Sequence, residues 1–592
     1  MPTFFCNRRK ELSIRNRKQS ITEGALVLTV SLAIVKIVGL IYKFPLIELL
    51  AGGGWGYYQS SYNIYGAVYA VAVVGFPVAV SRLVAGYAAS GRYKDVVNLR
   101  RESLRLFAVI GVIGAVCLML LAKPITASMT TNRYAHWCVI AVAPSIFFSC
   151  VMSSYRGYYQ GLSNMTPTAM SDVVEVLFKA AFGYGTAYLL TFLLRSEFAA
   201  NGTVLGVPET SASAMSSILA IAAAGAISSV TISTCAAFLS LVIHYRRKGG
   251  MLTQEQIDSS PEPERVTVLR KQILRYGFPL ALSAITLRVA SLIDDVTVIR
   301  SLNTAMSRNL TALLASHGGL LEKTGVQMSE MATYLYEVYG YGIPLYDLVP
   351  TITANFATSA LPHITTALNR GDKAQVKQHI ETMMGITMLI AAPAGLGMAF
   401  MAEPLLNFLY PSLEIGATLA APMLSVLGIA SIAVCLASFV NMMFQAIGRI
   451  DLPVKLMAVG CAIKILVNYI LVSIPSLNIK AVPAITLICY VTISVIGMVI
   501  ITRETGVKAD LIKTIVKPMA AGAAAGLCAR LSYSVMAGAL PQKVATLAAC
   551  LVAVAVYAVL ATLLKLFTRD IVESLPGGRR IASALEKIHM LG

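Results

Sequence analysis

Charge is the first thing this sequence lacks: Asp, Glu, Lys and Arg together make up 13% of its 592 residues, whereas a soluble domain carries about 25%. With 57% hydrophobic residues and a mean hydropathy of +0.71, there is too little polar material to cover a water-soluble core of this size. The ten cysteines form no CxxC pair, and the six histidines show no HExxH and no second ligand nearby. A redox pair, a metal centre and any other bound cofactor are therefore not expected. Most cysteines sit singly in apolar stretches and read as small packing residues. No Walker A loop occurs, so energy has to come from a gradient, a membrane potential or the substrate itself. Acidic residues are the scarcer sign, 29 against 48 Lys and Arg, leaving a formal net charge of +19. That surplus does not imply nucleic-acid binding, which needs basic residues gathered on a soluble face beside aromatic platforms. Here they lie between apolar runs.

Those runs are what the sequence has in abundance. Apolar segments fall at roughly 24–50, 62–88, 104–122, 136–160, 166–194, 217–243, 276–303, 338–366, 381–402, 416–446, 453–473, 481–502, 510–536 and 543–567. Lipid offers the backbone no hydrogen-bond partner, so runs of this length read as spanning helices; barrel strands would be half as long and alternating. The basic start, Arg8, Arg9, Lys10, Arg15, Arg17 and Lys18, runs into an apolar stretch too long for a cleaved leader, which reads as the first span. The positive-inside rule then places Lys and Arg in every second loop. They are found there: Arg92, Lys94, Arg100 and Arg101 after the second span, and Arg246, Arg247, Lys248, Arg265, Arg270, Lys271 and Arg275 after the sixth. Arg370, Lys373 and Lys377 follow the eighth, and Arg503, Lys508, Lys513 and Lys517 the twelfth. Residues 51–60 and 403–416, on the other side, hold no Lys or Arg.

The expectation is an all-α polytopic protein of about fourteen transmembrane helices. It is multi-pass in the cell membrane, with both termini cytoplasmic.

A repeat divides the chain. YYQGLSNMTPTAMSDVVEVLFK (158–179) resembles MFQAIGRIDLPVKLMAVGCAIK (443–464), with Gln160 on Gln445 and Lys179 on Lys464, each pair 285 residues apart. GFP at 75–77 and ALP at 360–362 keep the same offset, while Lys36 in the first span faces Arg288, 252 residues on, in the seventh. The shortfall falls in the polar stretch 304–336, read as an insertion in an outer loop. Spans one to six thus match seven to twelve in the same orientation, giving two pseudo-symmetric six-helix bundles. The implied divisions are a basic segment 1–23, an N-terminal lobe 24–243, a cytoplasmic linker 244–275, a C-terminal lobe 276–502, two further spans within 503–567 and a tail 568–592.

Three stretches carry a resemblance. GALVLTVSLAIVKIVGLIYKFPLIELLAGGGWGYYQSSYNIY, GFPVAVSRLVAGYAASGRYKDVV and SSYRGYYQGLSNMTPTAMSDVVE resemble the polysaccharide-biosynthesis branch of the multidrug/oligosaccharidyl-lipid/polysaccharide (MOP) exporter superfamily. Within it they are most similar to the stage V sporulation protein B and MurJ-like lipid II flippase group. The resemblance implies a MATE-like fold whose two lobes enclose a central cavity, alternately open to either side. It also implies that polyprenyl-diphosphate-linked glycans move outward, that membrane lipids are the surroundings, and that the protein is not an enzyme.

Charged residues inside spans are the functional candidates, because a charge facing lipid at mid-membrane costs about 2.5–3.5 kcal/mol. Lys36 and Lys43 lie two turns apart on one face of the first span, with Arg288 as the repeat mate of Lys36. With Arg82, at the inner mouth by resemblance, these cations suit a diphosphate. Lys464 lacks the acidic neighbours that Lys179 has in Asp172 and Glu175; Glu175 and Lys179 are spaced for an ion pair. Asp347 and Asn355 share a face of the eighth span and read as cavity-lining. Asp294 and Asp295 either neutralise Arg288 or form a Na+ or H+ coupling site; the resemblance implies that such a site also draws on the eleventh span, where Asn468 lies. Arg156 is as well placed to clamp its helix turn as to touch substrate, and Arg530 belongs to no repeat. The tyrosines at 57–69 and 334–346 resemble a sugar platform but are expected to be interfacial belt residues. Gly52, Gly53, Gly54, Gly75 and Pro77 are candidate hinges. A monomer is expected. Rival readings are an ion-coupled multidrug exporter of the same superfamily and a membrane glycan polymerase or ligase.

Overall fold

The computed structural model describes residues 21–70, 76–127, 132, 134–316, 326, 328–449 and 451–567. Helices dominate, as the backbone chemistry of lipid requires. They are α1 (Ile21–Leu49), α2 (Gly54–Ala70), α3 (Phe76–Ala89), α4 (Tyr93–Ala127), α5 (His136–Val142), α6 (Pro144–Gly161), α7 (Thr166–Asn201), α8 (Ser211–Lys248) and α9 (Gln254–Asp258). There follow α10 (Val266–Arg308), α11 (Leu310–Ser316), α12 (Met331–Gly340), α13 (Ile343–Asn369), α14 (Lys373–Phe400), α15 (Ala402–Leu409) and α16 (Glu414–Ile447). The last are α17 (Asp451–Val467), α18 (Ala481–Thr505), α19 (Lys517–Met536) and α20 (Gln542–Leu563). A two-residue hairpin, Thr203–Val204 against Val207–Pro208, joins α7 to α8.

Among the described residues ten helices are long and apolar enough to cross a membrane, and they coincide with ten of the expected spans. The other four expected spans fall on α2 with α3, on α10, on α13, and on α19 with the wide turn Ile512–Val516 before it. These helices carry the tyrosine run, Arg288 with Asp294 and Asp295, Asp347 with Asn355, and a Gly/Ala-rich run.

The chain forms two compact units, one of residues 1–296 and 326–334, the other of 297–325 and 335–592. Each repeats one packing pattern. In the first, α3 packs on α4 and α6, α4 on α6, α6 on α8, and α7 on α8. In the second, α13 packs on α14 and α16, α14 on α16, α16 on α18, and α17 on α18. The hubs are α6 and α16, each buried on nearly every side; α16 is apolar almost all round, whereas α6 buries four serines and Arg156. The appended helices α19 and α20 pack on each other, and α19 also lies on α14.

The hub of the first unit owes its close fit to two glycines one turn apart. A β-carbon at Gly157 would fall 2.7 Å from Val80 Cβ and 2.8 Å from the Pro77 carbonyl; one at Gly161 would fall 2.6 Å from Val84 Cβ and 2.7 Å from the Ser81 carbonyl. Small residues at this spacing let backbones approach within a membrane. The hinge candidates Gly52 and Gly53 make the turn from α1 to α2, with φ of +104° and +119°, whereas Gly75 lies outside the described residues.

The stretch expected as an inter-lobe linker is a strap fastened to the first unit. The Tyr158 hydroxyl donates to the Gly250 carbonyl. Lys94 donates from its backbone N to Ser260 Oγ (3.1 Å) and from Nζ to the Ser260 carbonyl (2.9 Å). The backbone N of Glu264 donates to Asp95 Oδ1 (2.7 Å), and the Tyr87 hydroxyl bonds to Glu264 and Gln272, 2.8 Å each. Arg92 bridges Asp95 (2.7 Å) and Glu264 (3.1 Å), and its hydrogen bond to Asp95 pushes the guanidinium pKa above its ordinary value. Farther along, buried Glu102 takes both Arg270 (2.7 Å) and Arg105 (2.6 Å). The basic residues that alternate between loops in the sequence thus also fasten one of those loops down.

Gly161→Ala should lower the melting temperature of the purified protein, by the equivalent of about 1–3 kcal/mol of overpacking, because the obstructing atoms include backbone; an unchanged thermal melt in detergent would refute the close contact. Asp95→Ala should loosen the strap, so that limited proteolysis cuts within 250–272 faster than in the parent while the core fragments survive.

Candidate functional site

Polar side chains on the spanning helices of the first unit gather along α2. Its residues 55, 58, 62, 65 and 69 follow the three-and-four spacing of one helix face, and all are aromatic. Trp55 stacks on Tyr58 with centroids 4.9 Å apart, and the ladder continues through Tyr62, Tyr65 and Tyr69 at 6.0, 5.8 and 5.0 Å. Tyr57, Tyr58 and Tyr65 are buried. From α1, the Tyr42 hydroxyl stands 3.5 Å from that of Tyr58. From α7, Lys179 donates to the Tyr62 hydroxyl at 3.0 Å, with its ammonium 4.3 Å from the ring centroid. The Tyr57 hydroxyl donates to buried Glu330.

One turn away on α7, Asp172 and Glu175 close on Arg156 of α6 at 2.6 and 3.3 Å, while Arg156 Nε donates to Ser171 Oγ at 3.1 Å. Arg156 is 5% exposed. The ion pair expected between Glu175 and Lys179 does not form: the carboxylate turns to Arg156, and among the described residues no carboxylate lies within ion-pair distance of Lys179. The physical reason is that the three-residue spacing of Asp172 and Glu175 lets both grip one guanidinium donated by the neighbouring helix, leaving the lysine to an aromatic face. Arg156 therefore acts as the helix clamp.

The second unit holds the repeat mate. Lys464 is 5% exposed on α17, with its ammonium 5.9 Å from the Tyr490 centroid on α18. Where the first unit has Arg156, Asp172 and Glu175, the second has Asn441, Met457 and Gly460 at the same offset. A β-carbon at Gly460 would meet Cys489 Sγ at 2.8 Å, so packing on α18 occupies the acidic position. Asn468 is fully buried where α17 widens into the turn Asn468–Val472, and its amide donates to Thr297 Oγ1 at 3.1 Å.

Of the other candidates, Lys36 is exposed and Lys43 half-buried on α1. Arg82 is exposed on α3, its guanidinium 5.2 Å from the Tyr276 ring. Asp347 is exposed on α13. The side chains of Arg288, Asp294 and Asp295 on α10, and of Asn355 on α13, lie outside the described residues. Arg530 pairs with Glu403 at 3.6 Å. Among the described residues no cluster of His, Cys, Asp and Glu could hold a metal ion.

Sequence reasoning missed two carboxylates. Glu330 comes from the stretch 304–336 read as loop and Glu337 from the boundary just past it, yet both are buried, Glu337 accepting from the Tyr341 hydroxyl at 2.6 Å. The belt expectation for the tyrosines fails with them: Tyr334, Tyr336, Tyr339 and Tyr341 are 6% exposed or less. The available signal was the interleaving of Glu and Tyr in EMATYLYEVYGYG, which matches hydroxyl donors to acceptors.

An all-α polytopic chain with one helix-packing pattern used twice, and with cations set against tyrosines on its spans, has the build of a MOP-type membrane transporter. The chain belongs to the lipid II flippase MurJ family, whose model matches residues 213–544. A second model, for polysaccharide biosynthesis proteins, matches residues 21–307. Among curated proteins, the Bacillus subtilis lipid II flippase MurJ is 24% identical over 497 residues, covering 82% of each chain. The uncharacterized membrane protein YabM of the same organism is 25% identical over 460 residues, covering 78% of this chain and 76% of its own. Among solved structures, an inward closed lipid II flippase MurJ superposes with a TM-score of 0.59 at 11% identity, covering 91% of this chain and 98% of that one. An inward-facing MATE-family multidrug transporter gives 0.57 at 15% identity, covering 81% and 98%.

Arg156→Met should cost up to about 3 kcal/mol, because it strands two largely buried carboxylates. The triple variant Arg156→Met, Asp172→Leu, Glu175→Met should recover most of the loss. Thermal unfolding of the two purified variants in detergent checks this, and a triple variant no more stable than the single one would refute the clamp.

Proposed function

We propose that the chain is a flippase that carries an undecaprenyl-diphosphate-linked glycan, lipid II or a related unit, across the cytoplasmic membrane by alternating access. Its basic side chains hold the diphosphate, and both termini lie in the cytoplasm. One observation carries the reading beyond family membership. Lys179 and Lys464, 285 residues apart at the same place in the repeat, both turn from spanning helices toward tyrosine rings. A cation over an aromatic face keeps its positive charge, as recognition of a phosphate-bearing lipid requires. The exposed Lys36 on α1 adds to this, since a charge facing hydrocarbon is costly and one facing a wet passage is not.

A drug exporter that expels cations would favour accessible carboxylates, yet in the first unit Asp172 and Glu175 are neutralised by Arg156. Coupling to Na+ or H+ would draw on Asp294 and Asp295, and the lobes would follow the sequence divisions 24–243 and 276–502.

Lys36→Ala and Arg288→Ala should each abolish flipping of fluorescent polyprenyl-diphosphate sugars in proteoliposomes, with size-exclusion profiles unchanged, while Lys36→Arg keeps part of the activity. Full transport by both alanine variants would sink the electrostatic reading.

A further inference from the structure

A cleft of about 330 Å3 opens in the second unit where the first turns of α14, the wide turn before α19 and the end of α20 meet. Its walls include Lys377 and Glu381 from α14, Lys513 and Thr514 from the wide turn, and Lys565 and Leu566 beyond α20. Three lysines therefore line a cleft that has one glutamate. That carboxylate is partly engaged: Glu381 accepts from the backbone N of Asp510 at 3.0 Å and lies 3.8 Å from Lys377. Asp510 spends its own side chain on capping the turn, accepting from the backbone N of Ile512 and Lys513 at 3.0 and 3.1 Å. Among the described residues no carboxylate comes within ion-pair distance of Lys513 or Lys565.

Two local features set these lysines in place. The turn Ile512–Val516 is wound as a π-helix, a rare form that occurs frequently at functional sites. Lys565 has a φ of +56°, a conformation that glycine adopts freely and a β-carbon resists. It is held there from both sides: its own N–H bonds to the Thr562 carbonyl at 3.0 Å and that of Leu566 to the Ala561 carbonyl at 2.8 Å. Buried Leu566 packs with Ala521 and Ala561. A lysine where a glycine would be relaxed points to use of its ammonium. The cleft is also amphipathic in its surroundings, because Leu511, Ile512, Val516 and Leu563, next in sequence to the lysines, are exposed and apolar. Ammonium groups beside bare hydrocarbon match a phosphate carried on acyl chains better than a soluble anion.

We propose that this cleft binds the phosphate headgroup of an anionic phospholipid of the cytoplasmic leaflet. The acyl chains would run along the exposed apolar residues beside it. The leaflet assignment rests on the orientation given under Proposed function; the lipid selectivity does not.

The test uses the full-length protein and phosphatidylglycerol, with phosphatidylcholine as the neutral control, and native mass spectrometry to count retained lipids. Wild type should retain phosphatidylglycerol over phosphatidylcholine, and the double variant Lys513→Gln, Lys565→Gly should lose that preference by about tenfold. Glycine suits the backbone at position 565, so the variant's melting temperature should not fall. An unchanged preference in the double variant would overturn the site. So would displacement of phosphatidylglycerol by millimolar inorganic phosphate, which would make it a free-anion site. A rise in retention when residues 568–592 are removed would assign the cleft to the tail's own carboxylates instead. A carboxyl-terminal green fluorescent protein, bright only when cytoplasmic, reads the leaflet separately. Darkness there would overturn the leaflet while leaving the lipid selectivity measured above intact, and failure of glycan flipping would affect neither readout.

Discussion

Lipid cannot accept or donate a hydrogen bond, and the whole molecule is arranged around that fact. Backbone groups answer it by closing into helices; side chains answer it by finding partners within the protein. Arg156 has Asp172, Glu175 and Ser171, Lys179 has the hydroxyl and face of Tyr62, and Asn468 has Thr297. Each arrangement satisfies the same demand, but with a different residual charge. A guanidinium held by two carboxylates is electrically spent, whereas an ammionium on a phenol ring is not. In a transporter that difference separates the residues that hold helices together from those able to attract a ligand.

The repeated units put this distinction side by side. Both keep the packing pattern and both keep the lysine, but only the first keeps the acidic pair and the arginine. In the second, Gly460 lets α18 approach where a glutamate stood in the first. One half therefore uses that stretch for a charged clamp and the other for close helix contact. The retained feature common to both is the cation facing tyrosine.

Much of the fold could be read from the order of residues alone, because span length and apolarity are local properties. Ten of the expected spans reappear as helices able to cross a membrane, and the offset linking Lys179 to Lys464 anticipates the repeated packing. What escaped was partner choice. Glu175 and Lys179 are four apart and read as a pair, yet Arg156, nineteen residues earlier than Glu175 in the chain, takes the carboxylate. Tyrosines near span ends read as belt residues, but their hydroxyls find Glu330 and Glu337 in the interior. The basic loops after the second and sixth spans were read for their topological sign, while Asp95, Glu102 and Glu264 show that Arg92 and Arg270 also have fixed acidic partners. For Glu175, Tyr57 and Arg270 the deciding neighbour comes from a different element, and spacing along one helix carries no information about it.

The contact between α3 and α6 has a mechanical consequence. Where Gly157 and Gly161 meet Val80 and Val84 there is no layer of rotatable side chains to slide or re-pack, so the two helices form a single stiff beam. Bending during a working cycle would have to be taken up elsewhere, and the paired glycines at 52 and 53, whose positive φ breaks the chain between α1 and α2, would offer a joint one helix before that beam.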